Sequence, residues 1–127
     1  MITSRPCTLR LLPIEWTYRK HGLPRSFETK DGWVEWVIET LDMAGLNEDW
    51  LLEDGYHVGY LAWTDGRCIH HRGEVLDVQM LVMAPSCKMT SSIWQCLKDT
   101  ARRKGYSWIA RRKHQPDGSI KTIYTEV

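Results

Sequence analysis

Polar side chains follow a long apolar strand pattern at residues 74–85, at the point where an amphipathic helix begins. The candidate ligand-binding residues there are Lys88, Met89, Thr90, Ser91 and Ser92. Free backbone N–H groups and the helix dipole at such a helix start favour a phosphate group. The segment has hydroxyls but no glycine, and glycine is what lets a phosphate come close to the backbone. The pattern therefore predicts a phosphate-binding geometry with an unusual loop.

A second candidate site is the basic last third of the chain. Its basic residues are Arg102, Arg103, Lys104, Arg111, Arg112 and Lys113. If the helix packs beside the next strand, these cations and Trp108 form a basic, aromatic-edged patch that suits nucleic acid or a protein partner. The alternative is a solvated helix end, because basic residues complement the dipole at a helix C-terminus. The net charge of only +1 favours that alternative.

The cysteine and histidine residues do not match a metal-binding motif. His70 and His71 are adjacent, so in a strand they point to opposite faces. Cys68 and Cys87 lie near them but lack the spacing of a zinc finger or ribbon. No metal is expected, and the four cysteines, which include no C-x-x-C pair, are expected to be free thiols.

Length and composition predict a single domain over residues 1–127. No apolar run is long enough to span a membrane, and the first residues do not resemble a secretory signal. We therefore expect a cytoplasmic location, in the host cytoplasm or the virion if the protein is phage-encoded. Seven tryptophans are many for this length. Because tryptophan is enriched in interface hot spots, a protein partner is also expected.

Periodicity and turn residues give the element order β-α-α-β-β-β-α-β-β. The first strand is predicted at residues 7–12, and turns are predicted at Asp54-Gly55, at residues 64–67 and at residues 114–118. The central helix is predicted over residues 89–104. In the long strand, one face is predicted to carry Leu76, Val78, Met80 and Val82, and the other face Asp77, Gln79, Leu81 and Met83.

Three segments in this order resemble the GNAT N-acetyltransferase superfamily. Residues 56–62 contain the Val-Gly of its third strand, and residues 101–106 match the A-x-x-x-G close of its central helix. Residues 81–85, Leu-Val-Met-Ala-Pro, resemble the end of its fourth strand, which typically runs L-x-V-x-P. The resemblance implies an α/β (α+β) fold with a mixed, mainly antiparallel sheet, two N-terminal helices and one central helix. It also implies a V-shaped opening between the fourth and fifth strands, with acetyl-CoA as the cofactor.

The chain departs from this family in two places. The family's phosphate loop reads R/Q-x-x-G-x-G/A. An alignment from Pro85 puts Lys88 at the basic position, and none of the residues at the glycine positions is a glycine. The sequence between residues 106 and 126 leaves no room for the family's last helix, which forms one wall of the cofactor cleft. Tyr124 falls on a strand and does not correspond to the family's tyrosine acid.

The resemblance implies that a general base would lie on or beside the fourth strand. Glu74 and Asp77 are the candidate catalytic carboxylates, because deprotonation of an amine needs a base with a pKa near the working pH. The alternative is that Glu74 is a surface acid and that Asp77 pairs across the sheet.

Three functions follow from these patterns. The favoured one is a GNAT-like protein with a degraded CoA pyrophosphate loop that binds or assembles without catalysis, such as a phage virion or accessory protein. The first alternative is an acetyl-CoA-dependent N-acyltransferase acting on an amine. The second is a nucleic-acid-binding module that uses the basic last third.

Overall fold

The computed structural model describes residues 2–127 and has the predicted element order. Its helices are α1 (Leu11–His21), α2 (Lys30–Ala44) and α3 (Ser91–Arg103). Its strands are β1 (Ile2–Pro6), β2 (Asn47–Glu53), β3 (Tyr56–Cys68), β4 (His71–Met83), β5 (Trp108–His114) and β6 (Ile120–Glu126). The predicted fold class is confirmed, since the chain forms a mixed α+β structure with a mostly antiparallel sheet. Among the described residues, no helix is long and apolar enough to cross a membrane.

The six strands lie in sequence order, and every neighbouring pair is antiparallel except β4 with β5. Across the described chain, β4 and β5 pair only where Val75–Asp77 lies beside Trp108–Ala110. The remainder of β4, from Val78 to Met83, therefore has β3 as its hydrogen-bonded neighbour and diverges from β5. The predicted V-shaped opening between the fourth and fifth strands is present.

A β-bulge at Gln79 changes which way the later side chains of β4 point. Ala62 of β3 lies opposite Met80 and Trp63 lies opposite Val78, so Gln79 is an extra residue with no partner on β3. The predicted alternation was wrong beyond Val78 for this reason. Leu81 packs in the same cluster as Val78, whereas Met80 lies in a different cluster. An extra residue re-aims the following side chains, and bulges are common beside functional sites.

The helices cover both faces of the sheet. Helix α3 packs Leu97 and Ala101 against Leu76 of β4 and Ile109 of β5. On the opposite face, Trp16 of α1 packs in a cluster with residues of β2 and β3. The spacing of residues 89–104 predicts a buried side formed by Met89, Ile93, Cys96, Leu97, Thr100 and Ala101, and the last five are buried. The prediction was wrong for Met89, which precedes the helix and is 43% exposed.

Two local predictions were wrong. Residues 7–12 do not form the first strand, because α1 already begins at Leu11 and places Pro13 in its first turn, where a missing N–H has no cost. Residues 64–67 are not a turn. Strand β3 continues through them to Cys68, and the reversal follows at Ile69 and His70.

The buried position of Leu97 gives a test of the packing between α3 and the sheet. Leu97 is 1% exposed and Leu9 is 53% exposed. We expect Leu97→Ala to lower the free energy of unfolding by about 2–5 kcal/mol, because it removes transfer energy and leaves a cavity. Leu9→Ala is the control and should change it by less than about 0.5 kcal/mol in urea denaturation. Equal effects of the two substitutions would contradict this packing.

Candidate anion-binding cleft

The divergence of β4 from β5 opens a cleft of about 670 Å³ beneath the N-terminal end of α3. Its lining combines the bulged part of β4, the start of α3 and the end of β5. The lining residues are Val78, Gln79, Leu81, Met89, Thr90, Ser91, Trp94, Leu97, Arg111, Arg112 and His114. The volume is in the range of about 300–1,000 Å³ that is usual for small-molecule sites.

The start of α3 presents free backbone donors to this cleft. Thr90 is the N-cap, and its Oγ1 accepts a hydrogen bond from the N–H of Ile93 at 3.3 Å. The first intrahelical bond runs from the N–H of Trp94 to the Thr90 carbonyl, at 3.1 Å. The N–H groups of Ser91 and Ser92 precede that bond, so they belong to the helix end that favours anions.

The five predicted ligand-binding residues do not all lie at the cleft. Met89, Thr90 and Ser91 line it. Lys88 lines a separate depression beside Trp16 of α1. Lys88 directly follows a tight turn, in which the N–H of Cys87 donates to the Ala84 carbonyl at 3.0 Å.

The wall formed by β5 supplies the positive charge of the cleft. The guanidinium of Arg111 lies over the ring of Trp94, 5.7 Å from its centroid, in a cation–π arrangement. In the described part of the chain, Arg111 has no carboxylate within ion-pair distance. No Asp or Glu among residues 2–127 lines the cleft. Positive groups and helix N–H donors together, without a carboxylate, favour an anionic ligand.

Asp77 of β4 is held by Arg112 of β5 at the point where the two strands separate. Arg112 donates from Nη2 to Oδ2 of Asp77 at 3.0 Å and from Nη1 to the other carboxylate oxygen. The Asp77 side chain is 19% exposed. This two-point ion pair fixes the guanidinium and occupies the carboxylate, as the alternative interpretation of Asp77 expected.

Glu74 forms a surface ion pair with Arg67 of β3, with Nη2 of Arg67 2.8 Å from the carboxylate. Neither Glu74 nor Asp77 is among the residues that line the cleft. His114 is the one imidazole among the described lining residues, and it lies at the outer end of β5.

The six basic residues of the predicted patch form two separate groups at opposite ends of α3. Arg102 lies in the last turn, where it pairs with Asp99 at 3.1 Å, and the Lys104 ammonium lies over the ring of Trp63. Arg111 lies instead against Trp94 in the first turns. A helix of 13 residues is roughly 20 Å long, so the two groups do not form one patch.

The cysteine and histidine residues do not converge on a metal site. Among residues 2–127, there is no group of three or more His, Cys, Asp or Glu side chains placed to hold a metal ion. None of the four cysteines forms a disulfide in the described chain.

Sequence reasoning missed the contributions of Gln79, Trp94 and His114 to the cleft. Gln79 could not be identified because the bulge depends on the register between β3 and β4. Trp94 could have been predicted to line the site, because it lies one turn after the N-cap. An aromatic ring there can form a cation–π contact with a basic residue of the next strand.

By comparison with known proteins, the amino-acid sequence is similar to that of a phage protein. It is 32% identical over 123 residues to Protein 7 of Escherichia phage T7, and the match covers 93% of this chain and 92% of that protein. The chain therefore belongs to the family of Protein 7 of Escherichia phage T7. No protein-family model matches the chain.

The N-cap gives a test of how α3 begins. We expect Thr90→Ala to lower the free energy of unfolding by about 0.5–2 kcal/mol, because the Ile93 N–H loses its acceptor. Thr90→Ser is the matched control, since it keeps the hydroxyl, and should retain most of the stability in thermal or urea unfolding. A loss with Ser as large as with Ala would show that the methyl group, and not the cap, is what matters.

Proposed function

We propose that this chain is a phage accessory protein with a GNAT-like fold, which binds a phosphate-bearing ligand in the cleft and does not catalyse acyl transfer. The family of the chain supports the phage role. The GNAT-like part is supported by three sequence segments, at residues 56–62, 81–85 and 101–106, together with the divergence of β4 from β5.

The non-catalytic part of the proposal rests on the ion pairs that both candidate bases form. A general base must be within hydrogen-bond reach of the proton that it removes, directly or through one water. Asp77 is tied to Arg112, Glu74 is tied to Arg67, and neither carboxylate lines the cleft. A ligand in the cleft would therefore meet arginines and hydroxyls before it met either carboxylate.

The phosphate-binding part rests on the two walls of the cleft. Arg111 offers a guanidinium without an acidic partner, and the start of α3 offers the N–H groups and hydroxyls of Thr90 and Ser91. A phosphate between these walls would accept charge-assisted hydrogen bonds from both. The missing glycines restrict the approach of a phosphate to the backbone, so the affinity is expected to be lower than a glycine-rich loop gives.

A second candidate function is that of an acetyl-CoA-dependent N-acyltransferase. The volume of the cleft favours it, because about 670 Å³ admits part of a cofactor of that size. His114 is then the residue of the cleft that could exchange a proton.

A protein partner belongs to the same proposal. Helix α2 exposes two large apolar side chains, with Trp36 59% exposed and Met43 81% exposed. Glu35 and Glu39 lie on the same helix, so this surface suits a partner that combines basic and apolar groups. Nucleic acid is less well supported, since the basic residues are divided between the two ends of α3.

Calorimetric titration with coenzyme A tests the ligand class. We expect binding in the micromolar to millimolar range, weakened about three- to tenfold by Arg111→Gln, because one guanidinium contact to phosphate is lost. Arg102→Gln is the matched control. It removes the same charge at the other end of α3 and should leave the affinity unchanged. No heat at millimolar coenzyme A, or equal losses in both variants, would overturn the binding site.

Release of thiol from acetyl-CoA in the presence of amines tests the non-catalytic part separately. We expect no protein-dependent release above the rate without protein. Release that is abolished by His114→Gln, with binding unchanged, would establish the acyltransferase alternative instead.

Removal of the Asp77 carboxylate should strengthen anion binding. Asp77→Asn deletes a negative charge next to Arg112 but keeps one oxygen that can accept from the guanidinium. We expect coenzyme A to bind about two- to tenfold more tightly, since roughly 0.5–1.4 kcal/mol of repulsion and competition is removed. Weaker binding would show instead that the position of Arg112 depends on the full ion pair.

A further inference from the structure

A cysteine and a histidine face each other at the hairpin between β3 and β4, away from the cleft. Cys68 is the last residue of β3, and its register partner is His71, the first residue of β4. The Sγ of Cys68 lies 3.3 Å from Nδ1 of His71, and the backbone N–H of His70 donates to the same sulfur at 3.4 Å. Two nitrogen groups thus converge on one half-buried sulfur.

The imidazole of His71 is held in place by two aromatic rings. It stacks on Tyr124 of β6, with 4.6 Å between ring centroids, and meets the edge of Trp108 of β5 at 4.5 Å. A nucleophile next to an oriented base is the arrangement that activates cysteine in proteins generally. The rings restrict the movement of the imidazole, so Nδ1 stays beside the sulfur.

We propose that Cys68 and His71 form a thiolate–imidazole pair that exchanges with small disulfides, making Cys68 a site of reversible S-thiolation. The thiolate of Cys68 attacks one sulfur of the small disulfide. A new S–S bond forms to Cys68, the original S–S bond breaks, and the other sulfur leaves as a thiolate that takes the proton held by the imidazole. Cys68 is oxidised to the disulfide level, and one sulfur of the small disulfide is reduced to a thiol.

The electrostatics of the hairpin support this pair. The hydrogen bond from His71 lowers the pKa of the Cys68 thiol to about 7, with further contributions from the His70 N–H and the Tyr124 hydroxyl. Correspondingly, the hydrogen bond to Cys68 raises the pKa of Tyr124, and the charge of Arg112 on β5 acts in the opposite direction. The titratable or charged groups that face this site are therefore His71, Tyr124 and, through Tyr124, Arg112.

The other cysteines provide internal comparisons. Burial raises the pKa of the thiols of Cys7 and Cys96. Cys87 is half-buried, as Cys68 is, and is therefore the comparison for exposure alone.

The size of the expected effect decides which measurement is informative. At pH 7 a thiol of pKa about 7 is about half thiolate, compared with about 3% for a thiol of ordinary pKa near 8.5. Nucleophilicity falls with pKa with a Brønsted slope of about 0.4–0.5, which removes roughly fivefold of this advantage. The net gain in rate at pH 7 is only about threefold, so the pH midpoint of the rate discriminates better than the rate itself.

The experiment measures the reaction of the whole protein with an aromatic disulfide from pH 5 to pH 10, with the products mapped by mass spectrometry. We expect the rate at Cys68 to have its midpoint near pH 7. In His71→Asn the midpoint should rise toward about 8.5 without reaching it, because the His70 N–H and the Tyr124 hydroxyl still stabilise the thiolate. The limiting rate at high pH should rise up to several-fold, because the less stabilised thiolate is more nucleophilic. A loss of exposure would lower the rate at every pH and would not produce this crossover.

Controls keep the test decisive even if His71→Asn does not fold. Cys87→Ser should leave the profile of Cys68 unchanged, and Cys68→Ser should abolish the phase with its midpoint near pH 7. Incubation with oxidised glutathione should place one glutathionyl group on Cys68, removable by a thiol reductant. A wild-type midpoint above pH 8 at Cys68, or preferential modification of Cys87, would overturn the proposal.

Discussion

The short parallel pairing of β4 with β5 is the constraint on which the rest of the structure depends. These strands share hydrogen bonds only around Val75–Asp77 and then diverge. Continuous pairing would close the sheet and leave no cleft beneath α3. The bulge at Gln79 contributes to the divergence of β4 from β5, because an extra residue increases the local twist of the strand. It also turns Leu81 toward the α3 side of the sheet.

The ion pair between Asp77 and Arg112 lies at the fork of these two strands. Asp77 is the last residue of β4 that pairs with β5, and its register partner on β5 is Ala110. Arg112 lies two residues after Ala110. The pair therefore joins the strands where their backbone bonds stop. The same contact fixes a guanidinium at the cleft and occupies a carboxylate that acid–base chemistry would need. The pair therefore leaves neither Asp77 nor Arg112 without a partner at the fork.

Much of the fold could be predicted from local sequence patterns. The element order, the Asp54-Gly55 hairpin and the buried side of α3 depend on turn residues and helical periodicity, which are local properties. The faces of β4 beyond Val78 could not be predicted, because a bulge is defined by the partner strand. The continuation of β3 to Cys68 could not be predicted either, since Asp65 and Gly66 indicate a turn when they are considered alone.

Only part of the candidate site could be predicted from the sequence, for a similar reason. Thr90 and Ser91 were identified because a helix N-terminus is a local feature, and the structure places both at the cleft. The division of the basic residues into two groups could not be predicted from local sequence. It depended on α3 running antiparallel to β5, which places Arg111 near the start of the helix and leaves Arg102 at its end.

We propose that the fork between β4 and β5 creates an anion-binding cleft closed by the start of α3. Backbone amide NMR during titration with inorganic pyrophosphate tests it directly, because each N–H reports its own environment. We expect concentration-dependent shifts at Ser91, Ser92 and Arg111, with little change at the far end of α3. Shifts confined to residues 102–104, or no shift at about 10 mM pyrophosphate, a concentration that would detect even a Kd in the millimolar range, would contradict it.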